Sequence, residues 1–202
     1  MKDILIVAVN GSPKVDGNTG YMLEQALDEC KARGAATEIL HCQQIIKDQK
    51  NPFCVACASP CPGKCIESKE IGRAYDLITR ADGLLVGSPV YFGTVSAQLK
   101  AFWDKSRSLR TNKKLLNVVG GALAVGGSRF GGQETTIKTI HDILMVQGMI
   151  IIGDGFIEDD CGHIGAAAQR PSREDENAIK RCRILAKRIY EVSEATRCLR
   201  KR

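Results

Sequence analysis

Aromatic residues are scarce in this 202-residue chain, at 5%. A stacking platform for single-stranded nucleic acid, which needs successive exposed rings, is therefore poorly supplied. Long apolar runs are missing too. The longest, Ile4–Val9 and Gly148–Gly153, are of strand length and fall far short of the roughly 20 residues a membrane helix needs. Met-Lys-Asp leads straight into an apolar strand with no h-region or small-residue cleavage site, so secretory export is not expected and a cytoplasmic location is. The three histidines, His41, His141 and His163, share no metal-ligand spacing. No Ser–His–Asp or Cys–His constellation stands in the loops, which leaves hydrolytic chemistry without support. What remains is ordinary soluble composition, 44% hydrophobic and 26% charged, in a length that suits one domain over residues 1–202.

The net charge of +6 is gathered towards one end. Lys180, Arg181, Arg183, Lys187 and Arg188 precede Arg197, Arg200, Lys201 and Arg202 in a basic segment over 172–202. A solvated face is the expected reading, with no nucleic-acid partner. Cysteine carries more information. Nine of them, an odd number, argue against a full disulfide framework in a cytoplasmic chain. Cys30, Cys42, Cys161, Cys182 and Cys198 are scattered and read as ordinary thiols. Cys54, Cys57, Cys61 and Cys65 fall within a single short stretch, which is a ligand pattern.

Apolar strands alternate with amphipathic helices, the signature of a parallel sheet covered on both faces. Strands are predicted at 3–9, 36–41, 83–87, 115–125 (broken near Gly120-Gly121) and 149–153. Helices are predicted at 18–33, 68–80, 95–107, 132–147 and 172–198. A Pro, Cys and Gly-rich segment at 50–66 is too irregular for either. Five strands in this arrangement fit an α/β, flavodoxin-like doubly wound sheet of order 2-1-3-4-5. Ligands of such sheets sit beyond the carboxyl ends of the strands, at the point where strand order reverses.

The loops at those ends carry the expected chemistry. Asn10-Gly11-Ser12-Pro13-Lys14-Val15-Asp16-Gly17-Asn18-Thr19 opens directly into a helix, and amides at a helix N-terminus with nearby hydroxyls make a phosphate cradle. Its spacing excludes both the nucleoside-triphosphate P-loop and the dinucleotide fingerprint. Asp16 or Asn18 as a simple helix cap is the plainer alternative. After the third strand, Pro89 stiffens a loop in which Tyr91 and Phe92 offer flat apolar surface to a planar ring, unless those rings pack on the core. After the fourth, Gly126-Gly127-Ser128-Arg129-Phe130-Gly131-Gly132 permits close backbone approach to a ligand, or simple mobility. Three further stretches read most simply as solvated or structural: the acidic loop Gly153–His163, the basic turn of Arg107, Arg110, Lys113 and Lys114, and mid-helix His141.

Gly11-Ser12-Pro13-Lys14 with Gly17-Asn18-Thr19, then Ser88-Pro89-Val90-Tyr91-Phe92-Gly93 with Ala97-Gln98-Leu99-Lys100-Ala101-Phe102-Trp103-Asp104, resembles the NADPH-dependent FMN reductase family over about residues 1–153. The resemblance implies a flavodoxin-like fold that binds FMN. Ser12, Lys14, Asn18 and Thr19 would hold the phosphate. Pro89, Val90, Tyr91, Phe92 and Gly93 would border the isoalloxazine, with Gly127, Gly131 and Gly132 near its other edge.

Cys54-x2-Cys57-x3-Cys61-x3-Cys65 resembles the compact motif of the iron–sulfur flavoproteins, a branch of that family which adds a [4Fe–4S] cluster to FMN. The branch pattern has two residues between the second and third cysteines; this chain has Ala58, Ser59 and Pro60 there. Zinc, or no metal, is the alternative occupancy. The resemblance implies a flavin-dependent oxidoreductase that exchanges electrons between cluster and FMN to reduce a small acceptor. It further implies a ferredoxin-like donor or NAD(P)H, no catalytic side chain beyond the flavin, and a homodimer or homotetramer. A cluster-free NAD(P)H-dependent FMN or quinone reductase is one alternative, and a non-enzymatic redox sensor or electron carrier is another.

Overall fold

A computed structural model describes residues 3–67 and 69–200. The chain runs β1 (Leu5–Asn10), α1 (Asn18–Ala32), β2 (Ala36–His41), α2 (Cys42–Ile45), α3 (Glu70–Arg80), β3 (Gly83–Pro89) and α4 (Ala97–Asp104). It continues α5 (Arg107–Thr111), β4 (Val119–Gly126), α6 (Gln133–Val146), β5 (Ile150–Ile151), β6 (Ala166–Gln169) and α7 (Glu176–Ala195). All strand pairs are parallel and the order is β2-β1-β3-β4-β5, as the flavodoxin-like reading requires.

Alternation along the strands builds two cores. Val7 and Val9 of β1 and Leu84 and Val86 of β3 point to one face, where Ile71, Ile78, Phe102, Ile137 and Leu144 from α3, α4 and α6 cover them. Ile6, Ala8 and Leu85 point to the other face, under Met22, Leu23 and Leu27 of α1 and Leu185 and Ile189 of α7. Burial on both faces explains why these strands read as unbroken apolar runs.

Several predicted boundaries shift for local reasons. The fourth strand is β4, unbroken and buried throughout; residues 115–118 form a turn in which Asn117 has φ +64. Gly120 and Gly121 do not interrupt it. They let the covering helices approach, since a Cβ on Gly120 would lie 2.9 Å from Leu144 Cδ1 and one on Gly121 3.1 Å from Leu185 Cδ1. The expected helix over 95–107 divides into α4 and α5 at Lys105 and Ser106. The fifth strand is cut to Ile150–Ile151, and the unanticipated β6 completes its place in the sheet by pairing with Leu123–Gly126. The last helix begins at Glu176, because Asp175 caps it by accepting the Ala178 N–H. Ser68, the start expected for the helix over 68–80, lies outside the described residues.

The basic C-terminal segment is not simply a solvated face. Arg200 is buried and paired with buried Asp82 at 3.1 Å. Arg181 is likewise buried, its Nε lying 2.7 Å from Asp154 Oδ2, and it also meets Asp160. Lys187 pairs with Asp159 at 2.8 Å, so the acidic loop after β5 docks on α7 instead of standing in solvent. Lys201 and Arg202 lie outside the described residues. No helix among the described residues is long and apolar enough to cross a membrane.

Candidate functional site

Three loops leave the carboxyl ends of β1, β3 and β4 and converge. The first is shaped by Asn10, which is fully buried. Its Oδ1 accepts the Ser12 N–H at 2.9 Å, which fixes the amide orientation. Its Nδ2 then donates to Val15 O at 3.4 Å and to His41 Nδ1 at 3.1 Å. Burial holds the His41 imidazole below its ordinary value, in keeping with a neutral ring that accepts. Ser12 Oγ accepts the Lys14 N–H at 3.0 Å, tightening the turn before α1. At the start of α1 stands Gly17, with no side chain to cap the helix. The first amides of α1 are left to an anion.

The second loop crosses over at Tyr91-Phe92-Gly93-Thr94, where Tyr91 and Thr94 exchange backbone hydrogen bonds of 2.9 and 3.1 Å. Phe92 (φ +50) and Gly93 (φ +76) take the left-handed conformations of a tight primed hairpin turn. A buried serine pair ties this loop to the first: Ser96 Oγ donates to Gly11 O at 2.5 Å, and the Ser96 N–H donates to Ser88 Oγ at 3.0 Å. The third loop folds around buried Gln133. Its Oε1 accepts the Gly131 N–H at 2.8 Å, and its Nε2 donates to Ser128 O at 2.6 Å and Ala168 O at 3.3 Å. Gly132, with φ +93, comes so near the second loop that a Cβ there would lie 3.0 Å from Gly93 Cα. Thr135 Oγ1 donates to Gly93 O at 2.8 Å across the same contact.

Between the loops lies a hollow of about 340 Å³. Of the residues singled out from sequence, Ser12, Lys14, Asn18, Thr19, Pro89, Val90, Tyr91 and Gly127 line it. Gly132 lines an adjoining hollow of about 750 Å³ on the far side of the third loop. Phe92 and Gly93 stand exposed at the hairpin tip, and Gly131 belongs to the turn held by Gln133. Asn18 is partly engaged: its Oδ1 accepts from the Ser172 N–H at 3.0 Å, leaving Nδ2 to donate. Arg170 was not anticipated. It follows β6, where its N–H donates to Gly126 O at 3.0 Å, and its side chain borders both hollows.

The cysteine segment lies elsewhere, over the α4–α5 junction and the start of α3. Cys54, Cys57, Cys61 and Cys65 are free thiols that line one further hollow of about 340 Å³, together with Lys50, Lys64, Lys69, Lys105 and Arg107. Among the described residues, no three His, Cys, Asp or Glu side chains are drawn together at metal-ligand distances. The donor set thus matches four-thiolate ligation in number and kind, around a common space but not yet a common centre. The remaining cysteines differ in kind: Cys30 and Cys182 are buried between α1 and α7, and burial pushes both thiols up to about 12.

Residues 4–162 match the family model described as NADPH-dependent FMN reductase. The chain belongs to that family. It is a flavin-dependent oxidoreductase. It is 38% identical to an iron–sulfur flavoprotein of Methanocaldococcus jannaschii, over 93% of this chain and 96% of that one. An iron–sulfur flavoprotein of Methanosarcina thermophila is 36% identical, over 94% and 95% of the two chains. Among solved structures, a WrbA-like flavodoxin from Agrobacterium tumefaciens superposes with a TM-score of 0.68 at 17% identity, over 96% of this chain and 99% of that one, and so shares the fold.

The buried polar residues that shape the loops in this family member, Asn10, Ser88, Ser96 and Gln133, carried a faint sequence signal at most: polar side chains at strand ends and helix starts. Arg170 carried none, because β6 brings it to the site from far along the chain.

Proposed function

We propose that the hollow between the three loops binds FMN, that a small-molecule acceptor is reduced at the flavin face, and that Cys54, Cys57, Cys61 and Cys65 hold a [4Fe–4S] cluster as the one-electron partner. The observation that carries the flavin assignment is the convergence of three loops on one hollow whose end is an uncapped helix N-terminus. The amides of Asn18 and Thr19, the Ser12 hydroxyl, the Asn18 amide and the Lys14 ammonium bind the phosphate dianion there. Arg170 adds a second cation at the border. Pro89, Val90 and Tyr91 flank the ring, and the backbone of Gly126 and Gly127 approaches it without side chains. When bound, FMN accepts electrons in pairs and releases them singly, whereas a [4Fe–4S] cluster carries one. The protein binds, orients and shields; no side chain is required as a general acid.

Support for the cluster is the set of four free thiols on one hollow and the names of the relatives. The exposed cations Lys50, Lys64 and Lys69 around it suit an acidic, ferredoxin-like donor. A second reading, an NAD(P)H-dependent reductase without a cluster, is favoured by the absence of any three ligands at metal distance among the described residues. Anaerobic purification with an absorption spectrum and quantitation of iron, acid-labile sulfide, zinc and flavin decides between them. About four iron and four sulfide per FMN are expected. FMN without iron, after anaerobic reconstitution, overturns the cluster and leaves the second reading.

A further inference from the structure

The cysteine segment holds itself together with very little hydrogen bonding. Over residues 50–62 no backbone N–H reaches a backbone carbonyl among the described residues. The stretch makes a single hydrogen bond there, in which the Ala56 N–H donates to Cys54 Sγ at 3.4 Å. Cys54 is therefore set apart from the other three cysteines. Among the described residues, no donor reaches the sulfur of Cys57, Cys61 or Cys65.

Ala56 also holds an uncommon backbone conformation. Its φ of +48 is left-handed, which is costly for a residue that carries a Cβ. Such strain persists where something enforces it, and it gathers at functional sites. Core packing does not enforce it here. Ala56 is exposed, and its neighbours Phe53 and Val55 are 57% and 56% exposed. What the turn achieves is local: Cys54 and Cys57 both line the one hollow, and an amide between them faces the first sulfur. The extra residue of this chain, within Ala58, Ser59 and Pro60, falls after the turn and leaves the Cys54-x2-Cys57 spacing whole.

We infer that the Cys54–Cys57 turn is the preformed part of the four-thiolate site, and that the Ala56 amide is a positioning donor that orients the Cys54 sulfur and sets how readily the loaded group accepts an electron. This rests on the cluster reading above. Hydrogen bonds to the sulfurs are one of the levers on the potential of such a group. One electron enters from a one-electron donor and no bond forms or breaks, so the group becomes one unit more negative. An N–H aimed at its sulfur favours that more negative form.

The test replaces Ala56 in the full chain by lactic acid, its α-hydroxy analogue, which exchanges the N–H for an ester oxygen and keeps the methyl group. The same replacement at Ala58 is the control, because the Ala58 N–H has no acceptor among the described residues. Ala56→Gly keeps the N–H and takes the left-handed turn freely. Each holoprotein is assayed for iron and sulfide and titrated anaerobically with mediating dyes, followed by electron paramagnetic resonance. The Ala56 ester is expected to lower the reduction equilibrium constant at least threefold, about 28 mV for a one-electron couple. The Ala58 ester and Ala56→Gly are expected to stay within twofold of wild type.

Loss of iron from the Ala56 ester alone also supports the assignment. An Ala56 ester with full iron and a constant less than threefold below wild type overturns it. So does an equal effect in the Ala58 ester or in Ala56→Gly, because the N–H to Cys54 is then not what acts. A wild-type protein that takes up no iron on reconstitution fails earlier: it removes the cluster reading and this inference together.

Discussion

Ser96→Ala removes one oxygen, yet that oxygen serves two loops at once. Its hydroxyl donates to the Gly11 carbonyl at 2.5 Å and accepts the Leu99 N–H at 3.1 Å, and the residue is fully buried. Losing the N-cap of α4 costs about 0.5–2 kcal/mol. Leaving the Gly11 carbonyl unsatisfied in a buried site costs about 1–3 kcal/mol. The two overlap, because the loop can relax, and a net loss of about 2–3 kcal/mol is expected. In a domain of this size that lowers the melting temperature by about 5–10 °C. The assay is thermal unfolding of the flavin-free chain by circular dichroism, with Thr79→Ala alongside. Thr79 Oγ1 donates to Asp76 O at 2.9 Å on an exposed helix face, so its loss should change little. If Ser96→Ala melts within about 1 °C of wild type, the serine is not what couples the loops and the reasoning fails.

Lys14→Met should weaken FMN binding by about tenfold, as loss of a hydrogen bond to a charged group implies, and leave riboflavin binding unchanged; flavin fluorescence titrations compare the two. Gly132→Ala forces a left-handed alanine at φ +93 against Gly93 and should cost at least about 1–2 kcal/mol in a denaturant titration. Thiol reagents should label Cys161 and Cys198 in the native protein but reach Cys30, Cys42 and Cys182 only on unfolding, since burial pushes those three up; mass mapping of the labelled sites checks this. Because burial lowers the His41 value, the folded chain binds that proton more weakly than the unfolded one. Its contribution to stability is therefore complete above about pH 6.5 and lost as pH falls through the lowered folded value, a slope that His41→Asn should flatten in melting curves.

Much of the sheet was legible because strands buried on both faces must be apolar along their whole length, as Ile4–Val9 is. β6 was not, since Ala166-Ala167-Ala168-Gln169 has neither branched nor aromatic residues; pairing with Leu123–Gly126 makes it a strand. Gly120-Gly121 suggested a break for the same reason of local reading, whereas the pressure of α6 and α7 from opposite faces explains both glycines. At the site, the loops revealed themselves through glycines, proline and hydroxyls placed next to strand ends. The ties between loops did not, because Ser96 to Gly11 and Gln133 to Ala168 join positions that only the fold brings near. The charges of the C-terminal segment misled in the opposite direction: Arg181 and Arg200 found the buried carboxylates of Asp154 and Asp82.

The pairing of Arg200 with Asp82 also imposes an order on the birth of the molecule. The two residues are separated by 118 positions, and Asp82 additionally accepts the Leu5 N–H at 2.9 Å. At the pace of translation, Asp82 waits roughly 6–24 s after it is made for its arginine to be synthesised. Until then the amino ends of β1 and β3 carry a carboxylate that lacks its Arg200 partner. The growing chain can collapse onto its first strands, but that corner of the sheet closes only once Arg200 has been made and can reach it.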